Sequence, residues 1–272
     1  MRPATLAAVS SATHAKANRA PRLVAGCIAA SVLAGCVHPH RDARTPVVAA
    51  SDANVDHGGR LPHAITEGSV FPAKTLVELD DDACRATLER VPLAVRTAAP
   101  TRGVRDPFRL VGSVEKLAFR PSWSTKHSEP AMEVVDCRLL LAFADAAPIF
   151  ARHGVKGLVY LSAYRPPTGD LQTSLRKSRH GAGMALDVGI LERTDGTSWN
   201  ITRDFPKELG RPPCDGREEH PVAGSQEDLR ALVCDLAISG IFSVVLTPNF
   251  NRDHHDHVHV ELNPRVPSVY LR

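Results

Sequence analysis

An α+β domain, with helices packed on one side of a small antiparallel sheet, is the fold class the sequence predicts. Three observations lead there. Two segments near 185–190 and 257–262 alternate apolar and polar residues with a period of two, as half-buried strands do. Three others, opening near Asp80, Leu139 and Ser225, space their apolar residues as amphipathic helices do. The stretch from about Thr75 to Arg272 holds roughly 200 residues, enough for one core and not clearly for two.

Taken in order, the chain opens on a basic stretch carrying Arg2, Lys16, Arg19 and Arg22, with no acidic residue before Cys36. The apolar run Leu23 to Gly35 follows and is too short for a spanning helix, which needs about 20 residues. It ends in Leu33-Ala34-Gly35-Cys36. Residues 1–35 are therefore expected to be a targeting signal. Residues 36–75 are polar, punctuated by Pro and Gly and without apolar periodicity, so a flexible tether is expected. Residues 76–272 are assigned to the folded domain. Asp80-Asp81-Asp82 open a helix through Leu88 and Val91, with acidic residues where a helix start favours them. Leu139 to His153 forms a second helix, placing Leu140, Phe143, Ala147 and Phe150 on one face, and Gly154 stops it. Lys156 to Tyr164 is a strand. A third helix is expected to start at Ser225 as its N-cap and to run to Gly240. Strands follow at Phe242 to Thr247 and His257 to Leu262.

The net charge is +3 for the whole chain, and residues 1–35 supply four cations and no anions. Without them it becomes −1, so the basic balance belongs to the signal and nothing points to nucleic acid. Cys84, Cys137, Cys214 and Cys234 remain beyond Cys36, an even number that suits two disulfides in an oxidising compartment. Of the three possible pairings, Cys84–Cys137 and Cys214–Cys234 are favoured, because each joins helix-like segments within one half of the fold. No two of the four have the C-x-x-C spacing of a zinc–thiolate site.

The chemistry sits in two motifs. In Ser178-Arg179-His180-Gly181-Ala182-Gly183-Met184-Ala185-Leu186-Asp187, the residues Leu186, Val188 and Ile190 take one strand face and Ala185, Asp187 and Gly189 the other. Asp187 should then face outward between small neighbours, with room for an ion and a substrate. Gly181 and Gly183 allow the turn that brings His180 back to that face. In Asp253-His254-His255-Asp256-His257-Val258-His259-Val260-Glu261-Leu262, the residues Val258, Val260 and Leu262 form a buried face, while His257, His259 and Glu261 share the opposite one. Two imidazoles two residues apart reach one small site; one can bind a metal and the other act on the water it activates. A His, Asp, His set with an open fourth position fits catalytic zinc. Copper or nickel is possible from the ligand types, but the carboxylate and open position favour zinc.

The pattern S-x-H-x-x-G-x-A-x-D followed by H-x-H resembles the zinc peptidases that include D-Ala-D-Ala carboxypeptidases, lysostaphin-type endopeptidases and the hedgehog signalling domain. More closely, the chain resembles the bacterial family named for an extensin-like C-terminal domain. Leu246-Thr247-Pro248-Asn249-Phe250-Asn251, running into His254-x-Asp256-His257-x-His259, matches that family's closing block. Cys84, Cys137 and Cys234 fall where it has cysteines. The resemblance covers about Ala83 to Leu262. The chain lacks the cysteines the family often has just before Arg165 and near Gly103-Val104, and Arg179 and Gly181 stand where a Glu usually flanks the first histidine. Leu33-Ala34-Gly35-Cys36 resembles a lipobox, which implies a lipidated Cys36.

The resemblance implies a zinc-bearing sheet of the D-Ala-D-Ala metallopeptidase and hedgehog type, with His180, Asp187 and His259 as metal ligands. It makes His257 the general base or transition-state stabiliser. Arg165 would hold a substrate carboxylate or the oxyanion, or would merely end a strand at the surface. Ser178 would orient substrate or brace the loop before His180. The expected protein is a monomeric envelope lipoprotein, in the outer membrane facing the periplasm if the host is Gram-negative, touching the membrane only through its lipid. The expected function is zinc-dependent hydrolysis of peptidoglycan stem peptides or cross-links. A non-hydrolytic zinc-containing wall-binding module is the alternative.

Overall fold

Long apolar helices over a wide sheet bring the two motifs together. The computed structural model describes residues 72–123, 130–214 and 224–272. All lie within one unit spanning Arg60–Arg272. The expected signal, Cys36 and all but the end of the tether lie outside the described residues.

The elements run α1 (Pro72–Glu78), α2 (Asp81–Leu88), β1 (Arg96–Thr97), β2 (Pro107–Arg109), β3 (Gly112–Val114), β4 (Leu117–Pro121), β5 (Val134–Asp136), α3 (Cys137–Arg152) and β6 (Val155–Ser162). They continue through α4 (Leu171–Lys177), β7 (Ala185–Arg193), β8 (Ser198–Asn200), α5 (Ile201–Asp204), α6 (Ser225–Ile238), β9 (Val244–Leu246), β10 (Val258–Glu261) and β11 (Tyr270–Leu271). The α+β class holds. The sheet is larger than expected: eight strands in the order β11-β9-β10-β7-β6-β4-β3, with β8 also on β7. It is also mixed, because β9 with β11 and β4 with β6 run parallel. A separate three-stranded sheet, β1-β2-β5, leads into α3.

One face of the large sheet supports the helical layer. Leu186, Val188, Val258, Val260 and Leu262 are buried in one core with Leu139, Leu140, Phe143 and Phe150 of α3 and Leu229, Leu232 and Leu236 of α6. The period-two reading of β7 and β10 is therefore correct on its apolar side, apart from Ile190, which is only half-buried. Helix α3 starts two residues before the expected Leu139, because Asp136 caps it by accepting from the Arg138 peptide N–H at 3.1 Å. Gly154, at φ 69°, ends it as anticipated. Helix α6 differs at its start: Gly224 holds the cap position, and Ser225 is already in the first turn. Helix α1 begins at Pro72, inside the stretch assigned to the tether, because Ala73 and Leu76 bury there and the Ala73 N–H donates to the Gly240 carbonyl at 3.0 Å.

Disulfides join Cys84 to Cys137 and Cys214 to Cys234. The first ties α2 to the start of α3, beside a buried ionic knot. Arg138 is fully buried, and its guanidinium donates to Asp136 Oδ1 at 2.8 Å, to Asp81 Oδ1 at 2.6 Å and to the Leu79 carbonyl at 2.7 and 2.9 Å. The other Asp136 oxygen accepts from the Arg105 and Asp106 peptide N–H groups. Removing the cation would strand Asp136 in the core. Arg138→Ala should therefore cost about 3–5 kcal/mol of unfolding free energy, read from chemical denaturation of oxidised protein; a loss under about 1 kcal/mol would mean the knot is a surface-type pair.

Candidate metal centre

The sheet register assembles the site. His259 of β10 stands directly opposite Asp187 of β7, and Ser162 of β6 stands opposite Asp187 on its other side. Three polar residues thus form a row across three central strands, on the face away from the helices. His180 arrives from outside the sheet, on a 3-10 turn over Arg179–Ala182. Gly183 makes that turn possible: it sits at φ 65°, and a Cβ there would come within 2.8 Å of the Asp136 backbone nitrogen.

Asp187 Oδ1 is the centre of the cluster. It lies 3.2 Å from His180 Nε2, 2.8 Å from His259 Nδ1 and 3.4 Å from His257 Nε2. Its other oxygen, Oδ2, accepts from the Arg165 guanidinium, whose Nε donates to Ser162 Oγ at 2.9 Å. Asp187 therefore does not face outward with open space beside it. It is 1% exposed, enclosed by His180, His257 and His259 on one oxygen and by Arg165, reaching back from beyond β6, on the other. Burial works against its charge, but the hydrogen bonds from His180 and His259 overcome this and hold the carboxyl far below its usual range.

Both histidines are held at both nitrogens. His180 Nδ1 donates to the Ala163 carbonyl at 2.6 Å, while its Nε2 faces Asp187. His259 Nε2 lies 3.1 Å from Glu261 Oε2, while its Nδ1 faces Asp187. The four contacts are all to acceptors, with Asp187 Oδ1 serving both rings. A neutral imidazole has one N–H, so each ring in that form leaves a lone pair aimed at an oxygen. The cluster is balanced only by extra protons or by a cation among His180 Nε2, Asp187 Oδ1 and His259 Nδ1. The three residues offer ligand atoms within 4.8 Å of one another. A tetrahedral site with bonds of about 2.0–2.1 Å separates its donors by about 3.3 Å, close to the 3.2 Å from Asp187 Oδ1 to His180 Nε2 and somewhat longer than the 2.8 Å to His259 Nδ1. The set fits a metal ion.

His257 sits just before β10 rather than within it, yet its ring reaches the same cluster. Its Nδ1 is held by Asp256 Oδ1 at 2.8 Å. Ser178 is not brought in. It stands at the head of the 3-10 turn without a side-chain capping bond, and among the described residues no hydrogen bond joins its hydroxyl to the cluster. Two participants had no assigned role in the sequence reading. Glu261 buttresses His259; the i, i+2 spacing of His257, His259 and Glu261 already put it on the right face. His254 packs its ring 5.0 Å from His257 and 6.0 Å from His259, with Nδ1 held by Asn251 Oδ1 at 2.7 Å. Burial and the neighbouring His257 and His259 push its pKa down to about 4. The closing-block pattern includes His254 but does not mark that inward turn.

Residues 82–270 match the family described as extensin-like protein C-terminus. The chain belongs to that family. The match takes in all three candidate ligands, His257 and both disulfides. Comparison with curated proteins and with solved structures returned no match.

Burial lowers the pKa of His259, but the hydrogen bonds to Asp187 and Glu261 reverse this and raise it to about 9 in the metal-free domain. A raised folded value means stability that is complete below the unfolded pKa of about 6.5 and lost as pH climbs through about 9. In chelator-treated protein the melting temperature should fall across that window, and His259→Gln should flatten the fall. An equally steep fall in the variant would assign the titration elsewhere.

Proposed function

We propose that this member of the extensin-like family is a zinc-dependent peptidase of the cell envelope, acting on peptidoglycan stem peptides or cross-links. The observation that carries the reading is the convergence of His180, Asp187 and His259 on one point with each histidine oriented from behind. That is a ligand set held in place in advance, with a fourth position left for chemistry. The S-x-H-x-x-G-x-A-x-D and H-x-H motifs supporting kinship with zinc peptidases are the residues that form it.

Zinc, when bound, supplies Lewis acidity toward a scissile carbonyl and lowers the pKa of water. The chain's own groups do the rest. Asp256 fixes the His257 tautomer, so that Nε2 carries the lone pair and points toward the cluster. His257 is then placed to accept a proton from the attacking water and return it to the leaving amine. The Arg165 side chain is about half-exposed, and its guanidinium is anchored on Ser162 and Asp187. It can bind a substrate carboxylate or the developing oxyanion without losing its own orientation. A second reading, a zinc-containing wall-binding module without hydrolysis, is favoured by one feature: His180, Asp187 and His259 are all buried, with Arg165 over the carboxylate.

His257→Ala should retain zinc and lose about 10²- to 10⁴-fold in rate, measured by mass spectrometry of digested muropeptides. His180→Ala, Asp187→Ala and His259→Ala should lose the metal as well. Metal lost from His257→Ala would make His257 a ligand, and zinc-loaded wild-type protein that cleaves no wall peptide would leave the binding module standing.

We also propose that Cys36 carries the lipid that keeps the domain near the wall. Cys36→Ser should move the protein from the membrane to the soluble fraction; equal retention would remove the anchor from this account.

A further inference from the structure

Among the described residues no arginine or lysine bonds the buried carboxylate of Glu261. The residue is 9% exposed. Its Oε2 lies 3.1 Å from His259 Nε2, and its Oε1 accepts from Asn263 Nδ2 at 2.8 Å. Among the described residues the His259 ring is its only ion-pair partner. Arg179 acts on it through space without bonding to it. A carboxylate withdrawn from water needs both charge and hydrogen bonds in return. Here the bonded charge comes from the imidazole, with Arg179 adding to it through space.

Asn263 is itself fixed. Its peptide N–H donates to Ser243 Oγ at 3.0 Å, and its Oδ1 accepts from the Arg265 N–H at 3.1 Å. An oriented amide therefore holds an oriented carboxylate behind one nitrogen of an imidazole whose other nitrogen lies 2.8 Å from Asp187 Oδ1. The arrangement at His180 is analogous, with the Ala163 carbonyl in the supporting role. The difference matters chemically. A carboxylate is the stronger acceptor, so it both fixes the ring and makes the opposite nitrogen a better donor to a metal.

We infer that Glu261, held by Asn263, is a positioning residue for the metal centre: it keeps the His259 proton on Nε2 and presents the Nδ1 lone pair to the ion. This rests on the zinc reading proposed above and adds which residue selects the ligating atom. His259, Glu261 and Asn263 follow one another at intervals of two, so a single strand face and its extension carry ligand, support and the support's own anchor.

The test uses the full chain, stripped of metal and titrated with zinc against a competing chelator. Glu261→Ala should weaken zinc binding about 10- to 100-fold. Glu261→Gln keeps the shape but removes the charge, and should lose about tenfold; Asn263→Ala should lose less than either. These milder variants carry the test if Glu261→Ala does not fold, and melting temperatures in excess zinc check folding for each. Long-range proton–nitrogen NMR spectra of the zinc-loaded wild type should place the His259 proton on Nε2 and the metal on Nδ1. A purely structural glutamate would leave that assignment and the zinc affinity unmoved. Folded Glu261 variants that bind zinc within about twofold of wild type, or a metal found on Nε2, would overturn the inference while leaving the zinc centre intact. Wild-type protein that binds no zinc would overturn the zinc reading and this inference with it.

Discussion

The pairing of β7 with β10 is the constraint on which the site depends. Its register sets His259 opposite Asp187, Val258 opposite Val188 and Val260 opposite Leu186. The apolar pairs fix that register, because they fill the core beneath α3 and α6. A slip of one residue would turn every one of these side chains to the wrong face. The polar row therefore needs no energy of its own to be placed. Its position follows from the hydrophobic face behind it, and Ser162 on the next strand extends the same row.

Placement is not the same as stability. Asp187 and Glu261 are carboxylates buried on the sheet; burial opposes their charge, and His180 and His259 hold the first ionised while His259 does most to hold the second. Such a cluster works against folding unless positive charge enters it. In the metal-free domain the His259 ring, whose pKa is raised, and the guanidinium of Arg165 supply that charge. A divalent ion at the proposed position would supply it more directly, which couples metal occupancy to the stability of the central strands. The helical layer, the Arg138 knot and the Cys84–Cys137 bridge stand apart from this balance, and in the knot the buried carboxylate of Asp136 is met by a cation of the chain itself.

The sequence made the local features legible and left the long-range ones hidden. The period-two alternation of 185–190 and 257–262 revealed two strands, their apolar faces and the histidines and aspartate that meet. Apolar spacing revealed α2, α3 and α6, and both disulfides join the cysteines that seemed natural partners. The parallel pairing of β4 with β6 was not legible, since nothing in either segment signals a partner some forty residues away. Arg165 covering Asp187 was equally hidden, so the site looked open when it is roofed. Ser178, two residues before a candidate ligand, stays outside the cluster at the head of the 3-10 turn, and of its two expected roles neither is marked by a side-chain capping bond.

The two oxygens of Asp187 divide the site's work, and this bears on how a substrate could enter. Oδ1 faces the histidines, and Oδ2 faces Arg165. A cation bound among the histidines would draw on Oδ1 and leave the Arg165 contact in place, so the guanidinium can remain fixed while the ion is present. Its outer side is open to solvent, since the side chain is about half-exposed. An anionic group arriving there would meet a guanidinium already oriented by Ser162 and Asp187, and would not have to displace the ion's ligand to reach it. On the proposed reading, the roof over the carboxylate is thus also the first surface a wall peptide's carboxylate touches. The same side chain excludes water from Asp187 and presents a charge to the outside, and it can do both only because its planar fork has donors on more than one edge.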